Sequence, residues 1–208
     1  KMIAQFNCTG DWAFYIEGDE VYHEDDLEKI QSSMRMHLND ANVEALVFDF
    51  NHFYGNANSV LKSPGWYRSE ARIIKNSVRS YAPDGLFWLV LDSNKKGRYP
   101  KAKHTGVTCY HYGWVRSEVE MNLKSSRVQK YWGSEHVKID YAQMDQSIIK
   151  KFKGSHPKII QDWIPKDVGL YQTDSSYKAT QKQKKHQLMI KLEKFFGLEL
   201  SKKHYKLV

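Results

Sequence analysis

Apolar residues fall in short continuous runs through the first half of the chain and at helical spacing towards its end. Residues 12–16 (WAFYI) are continuously apolar and stop at Glu17-Gly18-Asp19-Glu20, which predicts a short buried strand. Leu27, Ile30, Met34 and Leu38 then recur at helical spacing and predict a helix with one buried face. Glu24, Asp25 and Asp26 suit its positive end, and residues 39–42 (NDAN) close it. Residues 43–51 (VEALVFDFN) predict a second strand, with Val47, Asp49 and Asn51 on one face and Phe48 and Phe50 on the other. Gly55, Asn56, Asn58 and Ser63 make residues 54–64 read as a loop. Residues 70–75 (EARIIK), 87–91 and 106–112 predict further strands, with a lysine-rich loop at 92–103.

From Val115 the spacing turns helical. Val115, Val119, Leu123, Val128 and Trp132 predict one buried stripe, and residues 141–152 a second helix. Pro157 opens a short third helix, at a position that tolerates the missing N–H. After a polar stretch, residues 180–196 predict an amphipathic helix with Leu188, Leu192, Phe195 and Phe196 inward and Gly197 as its stop. Strands first and helices later indicate an α/β or α+β domain with mixed strands. Residues 1–166 would form that domain, and 167–208 a basic helical extension.

At 208 residues the chain suits one sizeable domain and is short for two. It has no continuous apolar run of the ~18 residues a membrane span requires. Residues 1–7 lack the apolar core of a secretion signal, and a start at Lys1 implies a processed chain, a tagged one or a fragment. Two cysteines, Cys8 and Cys109, cannot build a disulfide framework or a four-thiolate zinc site, and read as small buried residues of a reducing cytoplasm. The net charge of +8 is unevenly spread. Eight acids lie within residues 1–30 against Lys1 and Lys29, whereas residues 178–208 carry nine lysines against Glu193 and Glu199. Such a tail fits nucleic acid, an anionic membrane or a solvated helix.

The acidic strand end is the first candidate for chemistry. Glu17 and Asp19 lie two apart, so in extended backbone they point the same way. Two such carboxylates favour a hard cation, Mg²⁺ or Mn²⁺; a solvated turn is the competing reading. Trp66 and Tyr67 have the ring chemistry to stack on a sugar, or to fill a core. Arg72 suits a phosphate, or a carboxylate within the sheet.

"DWAFYIEGDEVYHEDDLEKI" resembles the strand-plus-carboxylate segment of bacterial family-2 glycosyltransferases, with Glu17-Gly18-Asp19 in place of a D-x-D-like element. The similarity continues through Gly55, Gly65, Trp66, Tyr67 and Arg72, through the pair His111-Tyr112, and through "FKGSHP", spanning about residues 10–166. It implies a GT-A type α/β fold that transfers sugar from a nucleotide-sugar to a polysaccharide or lipid-linked acceptor. Asp19 would be the principal metal ligand, His111 would complete the metal shell, and Glu17 would sit near the ribose or metal. A general base is needed to deprotonate the acceptor. Glu70 and Asp84 are the acids between the GWY element and His111, and the turn Pro83-Asp84-Gly85 favours Asp84.

The resemblance also implies a nucleotide-binding segment of roughly 80–100 residues before the first strand, where this chain has only residues 1–9. Strand 12–16 would then be an exposed edge that invites pairing, so a homodimer is expected. The expected location is the cytoplasm, including the inner face of the membrane. A non-catalytic carbohydrate-binding or scaffold module is the alternative. A nucleic-acid binder ranks last, because no recognised motif accompanies the lysines.

Overall fold

A computed structural model of the chain describes residues 2–85, 87–93, 96–132, 138–165 and 169–208. In chain order the elements are α1 (Met2–Phe6), β1 (Trp12–Phe14), β2 (Glu20–Tyr22), α2 (Leu27–His37), β3 (Ala45–Tyr54), β4 (Asn56–Leu61), β5 (Ser69–Lys75), β6 (Ser80–Tyr81) and β7 (Leu89–Leu91). They continue with β8 (Gly97–Arg98), β9 (Lys101–Trp114), α3 (Glu118–Trp132), β10 (Ile149–Lys151), α4 (Lys158–Gln161), α5 (Gln181–Phe196) and β11 (Lys206–Leu207). The class is mixed α/β with a mixed sheet. β11 runs parallel to β9, whereas β5 runs antiparallel to β1 and β3. Two compact units are drawn from interleaved segments: residues 1–50, 67–110 and 201–208, and residues 51–66 and 111–200. β3 and β9 each contribute residues to both.

In the first unit β5 lies between β1 and β3, and all seven of its residues are buried. Alternation along the strands separates two apolar clusters. Ala13, Ala45, Val47, Ala71 and Ala102 gather with Trp88 and Tyr205, so small side chains make room for large rings. Leu46, Phe48, Phe50, Ile73, Val107 and Cys109 form the other cluster, with Tyr22 and Ile30. There Phe14 stacks on Phe48 at 5.7 Å and Tyr22 meets Phe48 edge-on at 5.0 Å. Such ring pairs each add about 0.5–1.5 kcal/mol beyond burial. Strand 12–16 is shorter than its apolar run predicts. Pairing ends at Phe14, and Ile16 is exposed. Along α2 only Ile30 is buried and Leu27 is exposed, because residues 24–26 form a 3₁₀ turn that offsets the helix start. Cys109 is buried as expected; Cys8 is exposed.

The second unit departs furthest from the sequence pattern. Residues 54–64 are not a loop: Gly55 takes a positive φ of 70° at the turn, and β4 returns antiparallel to β3. Residues 141–152 are not a helix either. Gln146–Ile148 form a 3₁₀ turn, and Ile149–Lys151 pair with Leu61–Ser59 of β4. A non-local partner for the backbone overrides the local helical spacing here. Tyr54, Leu61, Met121, Tyr141, Ile148 and Ile149 form the core, with Trp66, Trp114, Tyr171 and Ile190 packed against it.

Both long helices of this unit turn an unexpected face inward. On α3, Val119, Leu123 and Val128 are exposed and Met121 is buried. Glu118 accepts the Tyr141 N–H at 2.8 Å, and the Asn122 amide brackets the Ile139 backbone with two bonds of 2.8 Å. On α5, Leu188, Leu192, Phe195 and Phe196 are exposed, whereas Glu193 is buried. The ends of α5 do follow the sequence. Thr180 and Gln183 form a capping box, and Gly197 closes the helix in left-handed backbone.

Candidate functional site

The acidic segment between β1 and β2 is positioned by β5. Leu46 faces Ile73 and the next residue, Val47, faces Ala71, so Arg72 is the extra residue of a β-bulge. A bulge redirects the side chain it carries. The Arg72 backbone carbonyl accepts the Tyr15 N–H at 2.8 Å, which ties down the chain just past β1. Arg72 is 1 % exposed, and its guanidinium grips Glu20, with Nε 3.0 Å from both carboxylate oxygens and Nη2 2.5 Å from Oε1. Glu17 Oε1 lies 3.8 Å from the same Nη2. Phe50 lies 4.8 Å below the guanidinium, with Tyr15 and Tyr67 at 6.0 Å. Burial alone would pull the Arg72 pKa down, but hydrogen bonding and charge from Glu20 more than reverse this, so the group stays charged. Burial and then the Glu17 carboxylate push the Tyr15 hydroxyl up, with further contributions from Glu20 and Asp19.

Glu20 is the buried carboxylate here, and Glu17 and Asp19 remain half-buried on the loop it anchors. The spacing of Glu17 and Asp19 does not announce Glu20. Its signal is the alternation in β2, where Glu20 and Tyr22 are the buried positions around Val21. Arg72 takes the ion-pair role of its two sequence readings. Tyr67 packs edge-on to Phe50 at 5.0 Å within the core. Glu70 is buried, accepts the Ala71 N–H at 2.9 Å, and lies 2.6 Å from His204 Nδ1. It is therefore held in a structural pair and does not serve as an accessible base. Pro83–Gly85 form a 3₁₀ turn, but the Asp84 side chain lies outside the described residues.

Asp19 and His111 belong to different units. In the second unit the Nδ1 atoms of His111 and His52 lie 3.0 Å apart, so one ring donates and the other accepts. His52 is fully buried, with the Trp66 ring 5.4 Å away, and Trp66 also meets Trp114 edge-on. His52 escaped the sequence reading, although its parity with Phe48 and Phe50 on β3 marks it as inward-facing.

A second acidic group stands beside the loop. The side chains of His23, Glu24 and Asp25 bring one ligand atom each within 4.8 Å of one another. His23 Nδ1, however, already accepts the Asp25 N–H at 3.3 Å as the N-cap of the turn. Its lone pair is committed to folding the turn. The carboxylates of Glu17 and Asp19 carry the hard oxygen donors that divalent ions prefer, as do those of Glu24 and Asp25. The described cleft of 530 Å³ in this unit, lined by Gln5, Phe6, Cys8, Asn76, Val78 and Tyr81 among others, contains no carboxylate or imidazole. It is not part of the acidic site. Among the described residues no helix is long and apolar enough to cross a membrane. No protein-family model matches the chain, and no curated protein matches it significantly.

Proposed function

We propose that this chain is a glycosyltransferase-like protein of GT-A type. Its parent reaction moves a sugar from a nucleotide-sugar donor to a polysaccharide or lipid-linked acceptor. The supporting observation is the acidic loop. The Arg72–Glu20 pair fixes it from beneath, which leaves Glu17 and Asp19 half-buried on a supported turn. Sites built on such a braced shell hold their ligands with little reorganisation. In this reading Asp19 and Glu17 hold Mg²⁺ or Mn²⁺, which would offset charge on a diphosphate leaving group. The donor would be drawn from the cytoplasm.

A non-catalytic carbohydrate-binding or scaffold module is the second reading. It is favoured by Glu70, whose engagement with His204 removes one of the two candidate bases. Isothermal titration of Mn²⁺ with UDP and GDP tests the first reading on wild type and Asp19→Ala. Metal-dependent nucleotide binding that is lost in the variant is expected. Wild-type protein that binds neither nucleotide with metal present would leave the acidic loop a structural turn and favour the second reading.

A further inference from the structure

The helix α5 is amphipathic in reverse. Its docked stripe is Gln183, His186, Gln187, Ile190 and Glu193, at helical spacing and mostly polar. Each polar member has a local task. The Gln183 side chain accepts from the Tyr177 hydroxyl at 2.8 Å, and Gln187 donates to Asp145 at 2.8 Å. Glu193 accepts the Leu200 N–H at 2.8 Å, and His186 packs so tightly on Gly65 that a Cβ there would meet its ring at 2.4 Å.

The opposite face carries Leu188, Leu192 and Phe195 at i, i+4 and i+7, which are 58 %, 40 % and 82 % exposed. Phe196 extends this face and is 61 % exposed. Lys184, Lys185 and Lys191 border the stripe within about 60° on either side, and Lys182 and Lys194 lie further round. All five lysines are exposed, whereas the helix's acid, Glu193, is turned inward.

We propose that α5 is a surface-lying anchor that seats this chain on an anionic lipid bilayer. The inference does not depend on the donor chemistry proposed above. An apolar stripe of Leu and Phe bordered by lysines matches the interface between acyl chains and anionic headgroups. The stripe enters the headgroup boundary, and the lysine stems reach back along it to place their ammonium groups at the phosphates. At 16 residues, α5 is about 24 Å long and lies in the interface plane. Charge complementarity selects this occupant. A second copy docked through the same face in two-fold symmetry would set lysines against lysines. A nucleic acid would engage the lysines and leave Leu192 and Phe195 with no partner.

Flotation with vesicles tests this, using phosphatidylcholine alone and phosphatidylcholine with phosphatidylglycerol. Wild-type protein is expected to float with the anionic vesicles, at least about tenfold more than with the neutral ones. The double variant Leu192→Ser with Phe195→Ser should lose about tenfold or more of this binding. Its thermal melt should match wild type, because both side chains are already exposed. Lys184→Glu with Lys185→Glu, which replaces exposed residues, should lose the preference for anionic lipid. The proposal is overturned if wild type does not float, floats equally with both vesicles, or is unaffected by the serine substitutions. Light scattering that shows an oligomer dissolved by those substitutions would assign the face to a second copy and overturn it too. DNA binding without vesicle binding would do the same.

Discussion

Arg72 shows how one residue is decided by its surroundings. A guanidinium in the middle of a buried strand is tolerated because Glu20 meets it with charge-assisted hydrogen bonds and aromatic rings cover its face. Removing either partner strands the other charge in the core. Glu20→Ala and Arg72→Ala are each expected to lose about 3–5 kcal/mol of stability in urea unfolding. The double replacement Glu20→Leu with Arg72→Met should cost much less than the sum of the two. A second residue-scale expectation concerns pH. Burial lowers the pKa of His156, which lies against Phe53 and Phe152 and bonds to the Tyr112 hydroxyl at 2.8 Å. Its folded pKa is below the unfolded value of about 6.5, so the unfolded state takes up protons first as pH falls. The neutral imidazole therefore contributes its full stability above about pH 6.5 and loses it progressively as pH falls towards the folded pKa. Urea midpoints at about pH 7.5 and about pH 5 should converge in His156→Gln relative to wild type. From sequence, Glu17 and Asp19 stand out by spacing, whereas Glu20 and His52 become visible only once the inward face of each strand is known.

At the scale of elements, turns and caps are where local chemistry speaks clearly. Gly55 and Gly197 both have φ between 65° and 70°, so any Cβ is strained at either site. They differ in space. A Cβ at Gly197 meets nothing, whereas at Gly55 it would lie 2.3 Å from Tyr171 Cδ2. Gly197→Ala should cost about 1 kcal/mol, the conformational term alone. Gly55→Ala should cost clearly more, because the Tyr171 ring must move, and differential scanning calorimetry would separate the two. The Thr180→Ala exchange removes a cap, and about 1 kcal/mol of stability should go with it. The start and stop of α5 were readable because capping involves residues a few positions apart. β10 was not, since its strand state rests on pairing with residues about 90 positions away, and β4 was masked by the loop-like Gly, Asn and Ser of its hairpin with β3.

For the molecule as a whole, charge and edges set the expectations. The strand β1 lies at the end of its sheet order, but only three residues pair, and Ala13 within it is buried. A short edge offers few free backbone groups for another chain. Light scattering in dilute solution is therefore expected to report a monomer, in contrast to the homodimer expected from the family resemblance, in which strand 12–16 lacks its neighbours. The mixed α/β class was legible from strands that precede helices. The division into two interleaved units was not, because β3 and β9 are each one continuous strand and yet serve both.

By itself the sequence determined what depends on near neighbours. The strands around Phe48 and Ile73, the capped ends of α5, and the concentration of acid before α2 all follow from local pattern and charge. The tertiary structure alone decided which faces are buried and which ionisable groups are consumed. On α5 the polar stripe is docked because Asp145, Tyr177 and the close contact at Gly65 complement it, and the apolar stripe is left outward. On β5 a one-residue bulge aims Arg72 at Glu20. Periodicity gives the position of a face but not its partner. The partner comes from distant chain, and its hydrogen bonds and shape outweigh the hydrophobicity of the face itself.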